Sequence, residues 1–262
     1  MAEITAAMVK ALRDETGQGM MECKHALEEA GGDVQAARDL LRKKGLVKAE
    51  KRAERAAGEG RVGIKVLDGG AVMVEAACET DFCARNDEFR AMVGRLLDLA
   101  ADAPAGAIEA TEAMNDAVQE TLAKIGEKMS YRRGVKVEAP RIGTYLHHNG
   151  KVGVIVGADG EVDDETLSGL CMHIAFADPV GVRPEDIPAE VVEKEKQFAT
   201  QEAMDSGKPP EIAEKIVAGK MRKFLAERAL LEQNYVRDEK KKVRQILGEA
   251  TVTAFARFAV GA

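Results

Sequence analysis

The chain has 262 residues, 45% of them apolar and 32% charged, with a formal net charge of −7. That length is enough for two or three compact units with real cores. The acidic balance argues against nucleic acid as the main partner, since phosphate binding needs a basic field. Glu3, Lys10, Arg13 and Asp14 near the start are incompatible with a signal-peptide core, and no apolar run approaches the roughly 18 residues of a membrane span. The expectation is a cytoplasmic protein that binds no membrane and keeps Cys23, Cys78, Cys83 and Cys171 as buried free thiols.

In chain order, residues 3–46 read as three short helices. Met8, Val9 and Leu12 mark the inner face of the first, Met21, Ala26 and Leu27 that of the second, and Val34, Ala37, Leu40 and Leu41 that of the third. Thr16-Gly17-Gln18-Gly19 and Gly31-Gly32-Asp33 separate them, with Asp33 placed as an N-cap. Met21 is assigned to the core, and Met20 is the candidate for a flexible thioether contact at the surface. A basic stretch follows: Arg42, Lys43, Lys44, Lys48, Lys51, Arg52 and Arg55. It reads as a solvated helix or linker, with an electrostatic docking site as the alternative.

Gly58-Glu59-Gly60-Arg61-Val62-Gly63 matches the dinucleotide fingerprint by letter only. That motif must follow a strand and open a helix, and here a strand, Val62 to Leu67, comes after it. With no Walker-type loop either, the chain offers no nucleotide cradle of its own. Residues 61–77 alternate as a hairpin about Asp68-Gly69-Gly70. Helical patterns at about 87–101 and 107–128 follow, and Arg133 to Glu138 reads as a returning strand.

Between hairpin and helix lies Cys78-Glu79-Thr80-Asp81-Phe82-Cys83-Ala84-Arg85-Asn86. Two readings are open from the residues. In one, Thr80 or Asp81 caps the helix from Asp87 and Phe82 packs beneath it. In the other, strand and helix hold the turn so that the ring stands out as a site.

Residues 141–157 repeat the strand-turn-strand plan, with Asn149-Gly150 in the place of Asp68-Gly69. A helix at about 163–176 follows, and Val252 to Val260 returns as a strand. The fold class is therefore α+β with two related halves. Into the second half is inserted a helical hairpin: Pro188 opens one charged helix, Ser206-Gly207-Lys208-Pro209-Pro210 breaks it, and a second helix runs from Glu211 through Leu225. Such an arm, antiparallel and coiled, serves association, either with a second copy or with a partner.

The inventory for chemistry is thin. His25, His147, His148 and His173 are the only histidines, and no nucleophile elbow or zinc spacing is present. Cys23-x-His25 lacks the remaining ligands of a metal site. His173 reads as a satisfied structural histidine helped by the helix dipole. His147 and His148 sit at a hairpin tip, where a surface contact is as natural as a turn role. The reading is therefore of a protein that is not an enzyme and carries no cofactor or metal. A thiol-dependent enzyme using Cys78 or Cys83, and an RNA-binding module using 42–55, are the rivals from other classes.

Leu12-Arg13-Asp14-Glu15-Thr16-Gly17-Gln18-Gly19-Met20-Met21-Glu22-Cys23-Lys24-His25-Ala26-Leu27 closely resembles the bacterial elongation factor Ts family. So do Glu79-Thr80-Asp81-Phe82-Cys83-Ala84-Arg85, His173-Ile174-Ala175 with Pro179, and Ser206-Gly207-Lys208-Pro209. The resemblance runs from residue 2 to about 260. It implies a nucleotide-exchange factor for elongation factor Tu, with a ubiquitin-associated-like helical domain and linker over 1–55. Core halves over 56–140 and 141–262 and an antiparallel coiled-coil arm at 188–232 follow from it. It also implies that Thr80, Asp81, Phe82 and Cys83 enter the partner near its magnesium and nucleotide, and that Met20, Met21, His147, Tyr235 and Val236 contact the partner elsewhere. Cys83 stands where valine is common, and Gln233-Asn234-Tyr235-Val236 where Gln-Pro-Phe-Val is usual.

Overall fold

The computed structural model describes residues 4–52, 56–205 and 209–261, with side chains at 45–52 left out of the description. Ala2, Glu3, Arg55, Ser206, Gly207 and Lys208, and the side chains of Lys48, Lys51 and Arg52, thus lie outside the described residues. The described chain divides into two compact units. One gathers the residues up to Gly63, Val74–Gly134 and the end from Ala259, and the other Ile64–Met73 and Val135–Phe258.

The first unit opens with α1 (Ala6–Thr16), α2 (Met20–Glu29) and α3 (Val34–Arg52). Thr5 caps α1 by accepting from the Met8 amide, and Asp33 caps α3 by accepting from the Gln35 and Ala36 amides. Their shared core is Val9, Leu12, Cys23, Ala26, Leu27, Ala37 and Leu41. Met21 is a correction: it is exposed, as Met20 is, and Cys23 takes the inward position. Two residues along a helix is about 200° around it, so Met21 and Cys23 cannot share a face.

β1 (Glu59–Leu67) and β2 (Gly70–Cys78) form the expected hairpin, and β2 is buried at all nine positions. The glycines of the false fingerprint have a packing task. A Cβ on Gly60 would lie 2.2 Å from the Ala76 carbonyl oxygen, and one on Gly63 2.6 Å from Val93 Cγ1. The chain then forms α4 (Asp81–Arg85), α5 (Asp87–Ala100), β3 (Gly106–Ile108), α6 (Glu112–Ile125) and β4 (Met129–Glu138). On α5 the buried residues Phe89, Met92, Val93, Leu96, Leu97 and Ala100 recur at helical spacing.

The helix expected from 107 begins five residues later. Gly106–Ile108 is a short strand, and Thr111 caps α6 by accepting from the Met114 amide at 3.2 Å. The sheet order is β1-β2-β4-β3, so β2 lies between two neighbours, which explains its unbroken burial. One charge stands inside it: Glu75, 3% exposed, pairs with Arg133 Nε at 2.7 Å.

In the second unit β5 (Arg141–Leu146) and β6 (Val152–Asp159) pair antiparallel, in a register running from Arg141 opposite Ala158 to Leu146 opposite Gly153. α7 (Asp164–Ala177) packs on this pair, capped by Asp163, which accepts from the Thr166 amide at 2.7 Å. α8 (Ala189–Asp205) and α9 (Pro210–Arg228) make the inserted helical hairpin, with Ala199 and Ala203 as the buried residues of its inner face. Backbone bonds close its base: Val180 N–H to the Arg228 carbonyl at 2.8 Å, Leu230 N–H to Gly181 at 2.9 Å, and Leu231 N–H to Val182 at 3.0 Å.

The stretch after the arm holds elements that periodicity does not announce. These are a two-stranded ribbon, β7 (Asn234–Tyr235) with β8 (Asp238–Lys242), and a short helix, α10 (Val243–Leu247). β9 (Thr251–Ala259) closes a sheet of order β5-β6-β9. Both sheets thus place the returning strand beside the second strand of a hairpin, which is the repeated plan at the level of topology. Among the described residues, no helix is long and apolar enough to cross a membrane.

Candidate functional site

At the end of β2 the chain turns out of the sheet through Glu79 and Thr80. Thr80 is extended (φ −127°, ψ 156°), and its Oγ1 accepts from the Cys83 amide at 3.1 Å. It caps α4, a helix of five residues, rather than the helix from Asp87. That helix is capped by Asn86, whose Oδ1 accepts from the Glu88 amide at 2.8 Å. Both capping residues are of the type whose short side chain competes for backbone amides.

Within α4 the side chains separate by face. Cys83 and Ala84 are buried, at 3% and 6% exposure. Phe82 points the other way and is 79% exposed, so the packed-ring reading fails. Asp81 lies in the first turn and pairs with Arg85 at 3.0 Å, both side chains substantially exposed. An exposed pair at this spacing contributes only about 0.3–0.5 kcal/mol, so a partner can replace it at small cost.

Ties from outside the turn hold it. The Thr80 hydroxyl donates to the Glu127 carboxylate, with Oε2 at 2.9 Å and Oε1 at 3.0 Å. Glu79 Oε1 accepts from the Lys128 amide at 2.6 Å. The loop between α6 and β4 begins at Gly126 in the left-handed region (φ 82°), so the chain leaves α6 sharply and presents 127 and 128. Cys78 Sγ donates to the Thr80 carbonyl at 3.2 Å. Hydrogen bonding to Cys83 and burial push the Cys78 thiol well above the usual thiol range. A buried, protonated thiol is a poor nucleophile, which disfavours Cys78 in that role; the same hydrogen bond lowers the pKa of the Cys83 thiol, whose burial at 3% exposure keeps it from solvent. No signal in the sequence marks Glu79 and Glu127, because their partners lie 49 and 47 residues away.

The other candidates fall in both units. Met20 and Met21, 55% and 59% exposed, stand side by side at the start of α2. In the same bundle Cys23 is buried while His25 faces solvent beside Glu28 at 3.1 Å, so these two share no site. Among the described residues no cluster of three or more metal ligands occurs. Of the basic stretch, Arg42, Lys43 and Lys44 are exposed, and Lys44 pairs with Glu29.

In the second unit His147 is at the tip between β5 and β6. Its amide donates to the Val152 carbonyl at 2.9 Å, and its ring nitrogen Nδ1 lies 2.8 Å from Asn149 Oδ1. The His148 ring, 4.2 Å away between centroids, is the more exposed of the two.

Of the two residues of the expected contact near 235–236, Tyr235 lies mostly inside the free protein. It is 8% exposed and belongs to the core with Leu170, Ile174 and Leu230, its ring 5.9 Å from that of His173. Only Val236 of the two is open to solvent, at 39%. His173 is satisfied, as the sequence indicates, but for a different reason. Gln233 Nε2 donates to the Glu227 carbonyl at 2.7 Å, which aims Gln233 Oε1 at His173 Nε2 at 2.8 Å. His173 Nδ1 in turn accepts from the Val236 amide at 3.2 Å. This circuit needs the neutral ring with its proton on Nε2, and burial lowers the ring's pKa below the ordinary value. The helix dipole is not what holds it.

Phe176, 79% exposed at the end of α7, is a feature that sequence reasoning missed. With Val236 and Lys223 it lines an open groove beside His173.

The family model described as elongation factor TS matches residues 79–262. Elongation factor Ts of Pasteurella multocida (strain Pm70) is 46% identical over 264 residues, covering 100% of this chain and 93% of the relative. Elongation factor Ts of Enterobacter sp. (strain 638) and that of Cronobacter sakazakii (strain ATCC BAA-894) are each 45% identical over 267 residues, with the same coverage.

Proposed function

The chain belongs to the elongation factor Ts family, and from that premise we propose that it is a nucleotide-exchange factor that binds elongation factor Tu carrying GDP and speeds GDP release. The observation that carries the reading is the exposed Phe82 ring on a short helix tied down on its other face. A GTPase holds its nucleotide through magnesium and an ordered phosphate loop. A partner that binds the empty state more tightly than the loaded one weakens nucleotide binding by the same factor.

In this reading Phe82 is the wedge that enters the partner near the magnesium and nucleotide. Asp81 exchanges its pairing with Arg85 for groups displaced in the partner. Thr80 and Cys83 hold the ring from below. Met20, Met21, His147 and Val236 supply anchoring contacts elsewhere and have no reason to touch the nucleotide.

The test is GDP release from purified elongation factor Tu, followed with a fluorescent GDP in stopped flow, with and without the protein. Acceleration that saturates with protein concentration is the expected result. Release at the intrinsic rate throughout refutes the function. Acceleration fully retained by Phe82→Ala refutes the wedge alone.

A further inference from the structure

We propose that Glu127 is a positioning residue for the Phe82 turn, acting on nucleotide release through the Thr80 hydroxyl without touching the partner. The inference rests on the exchange reading above and adds to it a residue outside the Thr80–Cys83 segment.

A helix of five residues cannot hold itself, because the first turn fixes several residues for little hydrogen bonding. The direction of the ring therefore depends on how α4 is anchored, and the Thr80 hydroxyl is the anchor nearest to it. That hydroxyl has one hydrogen and two lone pairs. The two oxygens of Glu127 hold the hydrogen at 2.9 and 3.0 Å, which leaves a lone pair directed at the Cys83 amide at 3.1 Å. Each bond polarises the other, so the cap is stronger while the carboxylate is in place. Without Glu127 the hydroxyl can rotate, and its hydrogen then competes for the space of the Cys83 amide, one residue from Phe82.

The second tie, the Lys128 amide to Glu79, fixes the backbone before the cap and leaves the hydroxyl's rotation unrestrained. Glu127 is half-buried and outside the buried core, so its removal alters the turn without opening a cavity.

The experiment uses the full chain and compares Glu127→Ala, Glu127→Gln, Thr80→Val and the Thr80→Val/Glu127→Ala pair. The partner-free readout is hydrogen exchange at the Cys83 amide. It is expected to speed about tenfold in Glu127→Ala, the factor corresponding to a weakened hydrogen bond to a charged group. The functional readout is GDP release from elongation factor Tu. Its limiting rate is expected to fall about tenfold in Glu127→Ala while the half-saturating concentration stays within about twofold.

Glu127→Gln keeps an acceptor for the hydroxyl and is expected to restore most of the rate. On the Thr80→Val background, Glu127→Ala is expected to add almost nothing. Unchanged Cys83 exchange, equal losses in Ala and Gln, or effects that multiply in the double variant would each overturn the proposal. Absence of acceleration by the unaltered protein overturns the exchange reading instead, and Cys83 exchange still reports whether Glu127 grips the turn.

Discussion

Truncation of Phe82 to alanine separates packing from partner action, because the ring is 79% exposed in the free protein. Its removal is expected to shift the unfolding free energy by no more than about 0.5 kcal/mol, as for other exposed positions. In the complex the same ring has most of its surface left to bury. Four-fifths of a side chain of ~200 Å², at ~25 cal/mol per Å², comes to about 4 kcal/mol, and fixing the ring costs about 1 kcal/mol of it. The remaining ~3 kcal/mol corresponds to roughly a hundredfold in rate if it is realised as nucleotide leaves. Stopped-flow release of fluorescent GDP at saturating protein measures that factor, and a thermal melt of the free variant supplies the control. The half-saturating concentration is expected to move much less than the limiting rate, since anchoring lies elsewhere. A limiting rate within about threefold of the unaltered protein would refute the reasoning, because about 0.7 kcal/mol is too little for a buried ring. A melting temperature lowered by many degrees would refute it differently, by showing that the ring supports the fold.

Arg133→Ala removes the ion-pair partner of buried Glu75, and urea denaturation is expected to show a loss of about 1–3 kcal/mol, since the Arg133 side chain is itself 40% exposed and water replaces part of the pair. Replacing both residues by leucine is expected to cost less than that single change. Burial lowers the His173 pKa in the folded protein, so as pH falls below about 6.5 the unfolded chain takes the proton first. The contribution to stability is therefore present above that value and is lost on acidification, until the folded ring also protonates. Ring titration by NMR is expected to give a His173 midpoint below 6.5, and a midpoint above it would contradict the neutral circuit with Gln233 and Val236. Cys23, Cys78, Cys83 and Cys171 are buried, and burial pushes the Cys171 thiol up to about 12. A maleimide is expected to label none of the 4 cysteines in the native protein and all of them in denaturant.

Elements with strong local pattern are legible in the amino-acid sequence. The hairpin about Asp68-Gly69, the apolar face of α5 and the two helices of the arm all carry their signal within a few residues of themselves. Misplaced starts come from local competition. Residues 107–110 suit a helix by composition, yet Thr111 supplies the cap and the preceding segment joins the edge of a sheet. Asn86, not Thr80, starts α5, because α4 intervenes as a separate turn. The ribbon at 234–242 is not legible, since its stability comes from Tyr235 entering a core assembled from distant residues. Likewise Phe82 can be read as a candidate from its place between strand and helix. The carboxylates that fix its turn cannot, because contacts across 47 and 49 residues leave no trace in local pattern.

The closed base of the arm has a consequence for how the second unit responds to stress. Backbone bonds from Val180, Leu230 and Leu231 tie together the chain entering and leaving the helical hairpin. Fraying of α8 and α9 from their far end therefore need not propagate past this clasp, and the arm can open as a cooperative unit of its own. Loop-closure entropy grows only slowly with length, so the clasp tolerates an arm of almost any length between its ends. Native-state hydrogen exchange is expected to show α8 and α9 opening together at low free energy while the amides of Leu230 and Leu231 remain protected. The far part of the arm is thus insulated from the unit that carries it: its length and sequence can change while the base, where the Glu227 carbonyl holds Gln233 against His173, keeps the neighbouring core in place.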